Sequence, residues 1–144
     1  MAFDAKDVRA EKKAAGPWNR CTLTHRPTGT QVTCRTRSRA TSIEHTAVYA
    51  RALRDLELAV LAAAGEELPL RAEGVRALKE MQATGRPLVA DTTRWQWSIP
   101  SGTLAQATNV CYRQDVQDLA AAGLIMVRNG RRAVLTDRGR GWKP

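Results

Sequence analysis

The chain has 144 residues and a formal net charge of +9, from 23 basic and 14 acidic residues. This length holds one compact domain or two very small modules in contact, and no stretch approaches the roughly 18 apolar residues of a membrane span. The three cysteines are widely spaced and odd in number, which is typical of reduced thiols in the cytoplasm and not of a disulfide scaffold.

Arginine supplies 18 of the 23 basic residues. Its guanidinium group forms forked hydrogen bonds to phosphates and base edges, and it stacks on bases. An excess of positive charge predicts salt-sensitive binding to a polyanion. The composition therefore favours a nucleic-acid partner, and nothing in it indicates a membrane partner.

Residues 1–17 form a charged N-terminal segment. From Met1 to Lys13 this segment is helix-prone, and it lacks the apolar run of a secretory signal.

Residues 20–39 contain five basic side chains and no acid. Cys21, Leu23 and His25 alternate with polar residues, and so do Val32 and Cys34. Residues 27–29, Pro-Thr-Gly, supply a tight connection between the two runs, so the pattern predicts a β-hairpin with one apolar and one basic face. The basic face is a candidate phosphate-binding surface, although a merely solvated face has the same pattern. The candidate contacts in this half are Arg26, Arg35, Arg37 and Arg39.

A helix is predicted to follow the hairpin. Thr41 and Glu44 have the spacing of a capping box at its start, and Gly65 is a stop signal. Apolar residues recur between them at helical spacing, namely Ile43, Tyr49, Leu53, Leu56 and Val60. This stripe can cover the apolar face of the hairpin, so residues 18–65 are predicted to form one hairpin–helix module.

The residues Leu23-Thr24-His25-Arg26-Pro27-Thr28-Gly29, then Val32-Thr33-Cys34 and Arg37-Ser38, resemble the segment that follows the catalytic loop of bacterial peptide chain release factors. The resemblance covers residues 18–61 and implies two strands, a helix and an RNA-facing surface. Release factors hydrolyse the peptidyl-tRNA ester with a Gly-Gly-Gln loop, which this chain lacks. Arg39, Ala40 and Thr41 also replace the Gln and Asn expected after Arg-Ser, so the resemblance does not imply hydrolysis.

The second half, residues 66–144, is predicted to begin with a helix from Ala72 to Thr84 that Gly85 and Pro87 stop. A short strand at residues 88–90 follows. Asp91 is then predicted to cap a helical turn containing Trp95 and Trp97. We interpret these two rings as packing residues and not as platforms for bases.

Residues 104–122 continue at helical spacing and end at Gly123, either as one helix or as two that break at Asn109. Polar side chains on the outer faces can reach base edges or phosphates, and they are equally ordinary for a solvated surface. These side chains are Gln106, Asn109, Arg113, Gln114 and Gln117.

Two strands are predicted at residues 124–128 and 131–136, and Asn129-Gly130 between them is a strong hairpin signal. Residues 119–125 and 135–140 resemble the way bacterial winged helix-turn-helix domains leave the recognition helix and finish the wing. The resemblance implies that the helix before Gly123 is the recognition helix. It also implies that Arg128, Arg131 and Arg132 contact phosphate or the minor groove.

No catalytic, cofactor or metal site is predicted. Cys21, His25, Cys34 and Cys111 lack the closely spaced cysteine pairs of zinc sites. His25 and His45 have no nucleophile in a recognisable frame, and no phosphate-cradling glycine loop occurs.

These observations predict an α+β protein in which a hairpin–helix module precedes a winged-helix-like module. The preferred function is a non-catalytic, release-factor-like binder of ribosomal or structured RNA. The alternative is a winged-helix transcriptional regulator that binds duplex DNA. A third possibility, a basic assembly protein of a phage, predicts no salt-dependent binding to nucleic acid.

Overall fold

The computed structural model describes residues 3–37, 43–100 and 110–144, apart from the side chain of Ala15. The chain divides into two compact units, Met1–Glu66 and Glu67–Pro144. Each unit combines helices with an antiparallel sheet among the described residues. The predicted α+β class is therefore confirmed.

The first unit is a three-stranded sheet covered on one face by a helix. In the described part of this unit the sheet has the order β1-β2-β3, and α1 packs on β2 and β3. The elements are β1 (Val8–Ala15), β2 (Trp18–His25), β3 (Gln31–Arg37) and α1 (Ala47–Ala63), with short 3-10 helices at Ala5–Asp7 and Ile43–His45.

Strand β1 lies where the sequence predicts a helix-prone segment, so that prediction is wrong. Val8 pairs with His25 and Ala15 with Trp18 along the full length of β2. Alanine, lysine and glutamate have an intrinsic preference for helices, but this preference is weak. The continuous backbone pairing of β1 with β2 outweighs it. The predicted hairpin of β2 and β3 is confirmed, and β1 extends it to three strands.

The core of the first unit follows the predicted alternation. Cys21, Leu23 and Cys34 are buried on the face that α1 covers. Leu56 and Val60 of α1 pack against them, as the helical spacing predicts. Because successive strand residues point to opposite faces, this burial turns the intervening residues toward the other side of the sheet.

The start of α1 differs from the prediction. The helix begins at Ala47, where the Thr46 hydroxyl accepts a hydrogen bond from the Tyr49 amide at 3.2 Å. Glu44 lies in the preceding 3-10 helix, and Thr41 lies outside the described residues. The predicted start of the helix is therefore wrong, because Thr46, five residues after Thr41, supplies the cap. Gly65 does mark the end of the helix, with a φ of 70°.

The second unit packs its helices on a five-stranded sheet. Within its described residues the sheet has the order β6-β5-β4-β8-β7 and every pairing is antiparallel. The elements are α2 (Ala72–Thr84), β4 (Leu88–Ala90), β5 (Gln96–Ser98), β6 (Cys111–Tyr112), α3 (Arg113–Ala121), β7 (Ile125–Arg128), β8 (Arg132–Leu135) and α4 (Asp137–Gly141).

The predictions for α2 and β4 are confirmed, but the helical turn expected after β4 is wrong. The Asp91 carboxylate accepts hydrogen bonds from the Thr93 hydroxyl at 2.8 Å and the Trp95 amide at 3.1 Å. Such side-chain bonds close a tight turn and not a helix. The turn joins β4 to β5. Trp97 is buried in β5, as a packing residue would be, but Trp95 is exposed, so the packing interpretation is wrong for Trp95.

The long helix predicted over residues 104–122 is also wrong in part. Cys111 and Tyr112 form β6, which pairs with β5, and α3 begins at Arg113. The Asp115 carboxylate accepts a hydrogen bond from the Tyr112 amide at 2.9 Å, and this bond satisfies a free amide at the start of α3. Gln106 and Asn109 lie outside the described residues.

The hairpin of β7 and β8 is confirmed. Asn129 and Gly130 have φ angles of 55° and 64°, as a type I′ turn requires at both central positions. Leu88 of β4 pairs with Ala133 on the far side of β8, so the hairpin extends a larger sheet.

A short C-terminal helix anchors this hairpin. The Thr136 hydroxyl accepts a hydrogen bond from the Gly139 amide at 3.1 Å and donates one to the Gly123 carbonyl oxygen. Gly139 lies so close to the backbone just before β7 that a β-carbon there would stand 1.9 Å from the Leu124 carbonyl oxygen. The Gln82 side chain donates to the Gly139 carbonyl at 2.8 Å and ties α2 to the same helix.

We therefore expect Gly139→Ala to lower the free energy of unfolding of the second unit by about 2 kcal/mol or more, since backbone must move to admit the methyl group. Gly141→Ala is the matched control, because a β-carbon at Gly141 meets nothing within 4 Å. Urea denaturation followed by circular dichroism measures both. Equal stability of the two variants would contradict this close contact.

Candidate nucleic-acid interface

Three cations lie side by side on the face of the first sheet that α1 leaves open. Lys13 pairs with Arg20 across β1 and β2, and Arg20 pairs with Arg35 across β2 and β3. Directly paired residues of antiparallel strands share a face, and neighbouring strands lie about 4.8 Å apart. Lys13, Arg20 and Arg35 therefore form a row about 10 Å wide, which we call the cationic row.

The cationic row has no acidic partner in the part of the chain that the structure describes. All three of its side chains are exposed, and none forms an ion pair with any described residue. Glu11 is the acid on this face within the described ranges, and it pairs with Arg9 at 3.1 Å. The row is therefore an uncompensated strip of positive charge.

An aromatic ring lies beside the cationic row. Trp18 pairs with Arg37 in the next register position, and the Arg37 guanidinium lies 5.8 Å from the centre of the indole ring. The Trp18 side chain is 40% exposed, although a ring of this size is usually well buried. The ring and the cation together present a flat, positively charged surface to solvent.

On the opposite face of β1, a lysine does have an acidic partner. Lys12 is the neighbour of Lys13 but points to the side of α1, where it forms an ion pair with Glu44. The bond to Glu44 raises the pKa of Lys12 above its ordinary value. Successive lysines on one strand thus have different partners, and Lys13 has none among the described residues.

Like charges directly opposite each other across strands destabilise a sheet by roughly 0.2–1 kcal/mol per pair. The cationic row contains two such pairs, Lys13 with Arg20 and Arg20 with Arg35. No acidic side chain among the described residues forms an ion pair that relieves this cost. An external anion that lies across the strands would relieve it.

His25 and its neighbours, which carry the resemblance to release factors, build the turn between β2 and β3. The His25 ring is 1% exposed, stacks on Phe3 and lies with its Nδ1 2.8 Å from the Thr28 hydroxyl oxygen. The Gly29 amide donates to the His25 carbonyl oxygen at 2.7 Å, and Gly29 has a φ of 73°. These residues therefore position the strands, and His25 is not exposed for catalysis.

The cysteines are buried thiols. Burial raises the pKa of Cys21 and Cys34. Burial, together with a smaller effect of the Asp115 charge, raises the pKa of Cys111 to about 12. A high pKa keeps a thiol protonated and poorly nucleophilic at neutral pH. Within the described ranges no three His, Cys, Asp or Glu side chains lie close enough together to hold a metal ion.

A second group of arginines lies at the tip of the β7–β8 hairpin. Arg128 pairs directly with Arg132, and Arg131 follows the turn. The Arg94 guanidinium lies 3.7 Å from the point that a β-carbon would occupy at Gly130. We call Arg94, Arg128, Arg131 and Arg132 the hairpin-tip cluster. None of the four forms an ion pair with a described residue.

Arg113, predicted to contact nucleic acid, has a structural task. It donates hydrogen bonds from Nε to the Arg94 carbonyl oxygen at 3.2 Å and from Nη2 to the Thr93 carbonyl oxygen at 3.3 Å. Its guanidinium also lies 5.5 Å from the centre of the Trp95 ring. Gln114, the next residue of α3, is exposed.

The structure brings together some of the predicted contacts and separates others. Arg35 and Arg37 share the open face of the first sheet, whereas Arg26 lies in the turn beyond it and Arg39 lies outside the described residues. The prediction did not include Lys13 or Arg20. Arg20 precedes the buried Cys21 in β2 and therefore points to the open face, so the alternation of the sequence could have predicted it. Lys13 was not, because β1 was unforeseen.

Comparison of the chain with protein families, with curated proteins and with solved structures found no match. Among the helices that the structure describes, none is both long enough and apolar enough to cross a membrane.

The cationic row generates a prediction about stability. Arg20→Gln removes two like-charge contacts, so we expect it to raise the free energy of unfolding by about 0.5–1 kcal/mol in low salt. The gain should vanish near 1 M salt, where the screening length falls to about 3 Å. Thermal unfolding across a salt series measures the effect. Arg54→Gln is the control, because Arg54 lies 3.6 Å from Glu57 and loses an attraction. A loss of stability for Arg20→Gln in low salt would contradict the account.

Proposed function

We propose that the protein binds RNA through the open face of its first sheet and catalyses no reaction. The observation that carries the proposal is the cationic row, in which Lys13, Arg20 and Arg35 face solvent across three strands and form no ion pair with a described acid. A phosphate backbone laid across the row would relieve the repulsion between these side chains and release its counterions.

Two features support RNA as the polyanion. An open sheet that carries an exposed aromatic ring is a surface on which unpaired RNA bases stack, and Trp18 with Arg37 provides such a ring beside the row. The resemblance of residues 18–61 to bacterial peptide chain release factors also points to an RNA-facing surface. On this proposal the partner is ribosomal RNA or another structured RNA with an accessible single-stranded segment.

Peptidyl-tRNA hydrolysis is not part of the proposal. The chain has no Gly-Gly-Gln sequence, and the histidine of the release-factor-like segment is engaged in a turn. We propose that the protein acts in the cytoplasm, where its three free, buried cysteines would stay reduced.

A second candidate function is that of a winged-helix regulator bound to duplex DNA. The strand order β4-β8-β7 and the hairpin-tip cluster favour it, because a wing is a hairpin whose cations reach phosphate or the minor groove. The release-factor-like unit would then be an accessory module. We place this function second, because its predicted recognition helix comprises only the nine residues Arg113–Ala121 and follows directly on β6.

The test removes the cationic row. We expect the triple variant Lys13→Gln, Arg20→Gln, Arg35→Gln to bind structured RNA at least about tenfold more weakly at moderate salt. The plot of log affinity against log salt should lose about two units of slope, since three contacts to a single strand are lost. The charge-matched control is Arg76→Gln, Lys79→Gln, Lys143→Gln, which changes exposed residues elsewhere. Filter binding and ribosome co-sedimentation measure both variants.

Equal losses in the two triple variants would contradict the proposal, because only net charge would then matter. Tight binding to particular duplex DNA sequences, abolished by Arg131→Ala with Arg132→Ala, would establish the second candidate instead.

A further inference from the structure

A groove on the second unit combines two aromatic rings with two arginines. It has a volume of about 350 Å³, within the range of small-ligand sites. The described residues that line it are Arg71, Trp95, Tyr112, Arg113, Gln114 and Gln117. We call it the aromatic groove.

Trp95 is fixed in place although it is exposed. Its side chain is 59% accessible to solvent. Its backbone is held at both ends, since its amide donates to the Asp91 carboxylate at 3.1 Å and its carbonyl oxygen accepts from the Arg113 amide at 2.9 Å. An exposed aromatic ring on a fixed backbone is a partly preorganised contact for a flat ligand, because no backbone entropy is lost when the ligand stacks on it.

Each ring of the groove already faces a guanidinium group. Arg113 lies 5.5 Å from the centre of the Trp95 ring, and Arg71 lies 5.9 Å from the centre of the Tyr112 ring. A ring that is covered by a cation is a poor site for a second cation, so methylated ammonium groups do not fit this groove. The positive charge favours an aromatic ligand that carries an anion.

The two arginines of the groove differ in how much of their charge and how many of their N–H groups are available to a ligand. Arg71 lies 3.5 Å from the buried Asp115 carboxylate and 3.4 Å from Glu73, so its charge is partly neutralised. Arg113 bonds to backbone carbonyl oxygens with Nε and Nη2, and it has no acidic partner among the described residues. Its remaining N–H groups and its full charge are available to a phosphate.

Two exposed amides complete the groove. Gln114 and Gln117 are three residues apart on α3, which makes them neighbours on the helix surface. A carboxamide can both donate to and accept from a base edge. Stacking surface, charge and hydrogen-bonding groups are therefore present within one groove.

We propose that the aromatic groove binds one unpaired nucleotide, with its base stacked on the Trp95 ring and its phosphate beside Arg113. This inference rests on the proposed RNA binding and extends it, since the cationic row would hold backbone whereas the groove would hold a base. It assigns the two proposed contacts to separate units of the chain.

The first experiment uses single ribonucleoside 5′-monophosphates. We expect them to shift the NMR signal of the Trp95 indole N–H, identified by its loss in Trp95→Leu, and ribose 5-phosphate and tetramethylammonium to leave it unchanged. The triple variant of the cationic row should show the same shifts as the natural sequence. No shift with any monophosphate, or an equal shift with ribose 5-phosphate, would overturn the inference.

The second experiment compares single-stranded RNA with an abasic backbone of the same length. The natural sequence should prefer the RNA by about tenfold or more, and Trp95→Leu should remove most of this preference. Trp95→Phe is the matched control, since it keeps an aromatic ring at the same exposed position, and it should retain most of the preference. If the row variant loses RNA affinity while Trp95→Leu keeps the preference, the groove inference fails and the proposed function survives. If the row variant keeps its RNA affinity while Trp95→Leu loses the preference, binding through the cationic row fails and the groove inference survives.

Discussion

The burial of Cys21, Leu23 and Cys34 beneath α1 determines the character of the whole first unit. Residues of a strand alternate between its two faces, so the same burial turns Arg20 and Arg35 outward and aligns them with Lys13. Burial of the covered face stabilises the unit, and this stabilisation offsets the repulsion between the cations on the open face. A shift of one residue in the pairing would exchange the two faces and bury the cations. The basic surface is thus a consequence of the core.

The second unit arranges its arginines differently. Two tight turns, at Asp91–Arg94 and at Asn129–Gly130, bring Arg94 close to the tip of the β7–β8 hairpin. Arg113 stabilises the first of these turns by donating to two of its carbonyl oxygens, and it holds Trp95 at the edge of the groove. Some arginines of this protein therefore build structure, while others face solvent without an acidic partner among the described residues. Composition alone does not distinguish the two kinds.

The sequence predicted the elements whose signals are local. The alternation in β2 and β3, the helix Ala72–Thr84 and the Asn129-Gly130 hairpin depend on near neighbours, and all three are confirmed. It did not predict β1, whose alanines and lysines become a strand only by pairing with β2, nor β6, which exists only because β5 lies beside it. The candidate site was foreseen in part for the same reason: Arg35 and Arg37 follow from the alternation, whereas Lys13 depends on pairing between strands.

The central claim is that the cationic row holds a phosphate backbone, and Lys12 and Lys13 provide an internal comparison. They are consecutive residues on opposite faces of one strand, both exposed, and Lys12 is paired with Glu44. The measurement is lysine acetylation of the full chain with and without structured RNA, read by mass spectrometry. The account predicts that RNA protects Lys13 and leaves the acetylation of Lys12 unchanged. Protection of Lys12 alone, or of neither lysine under conditions in which RNA is bound, would contradict it.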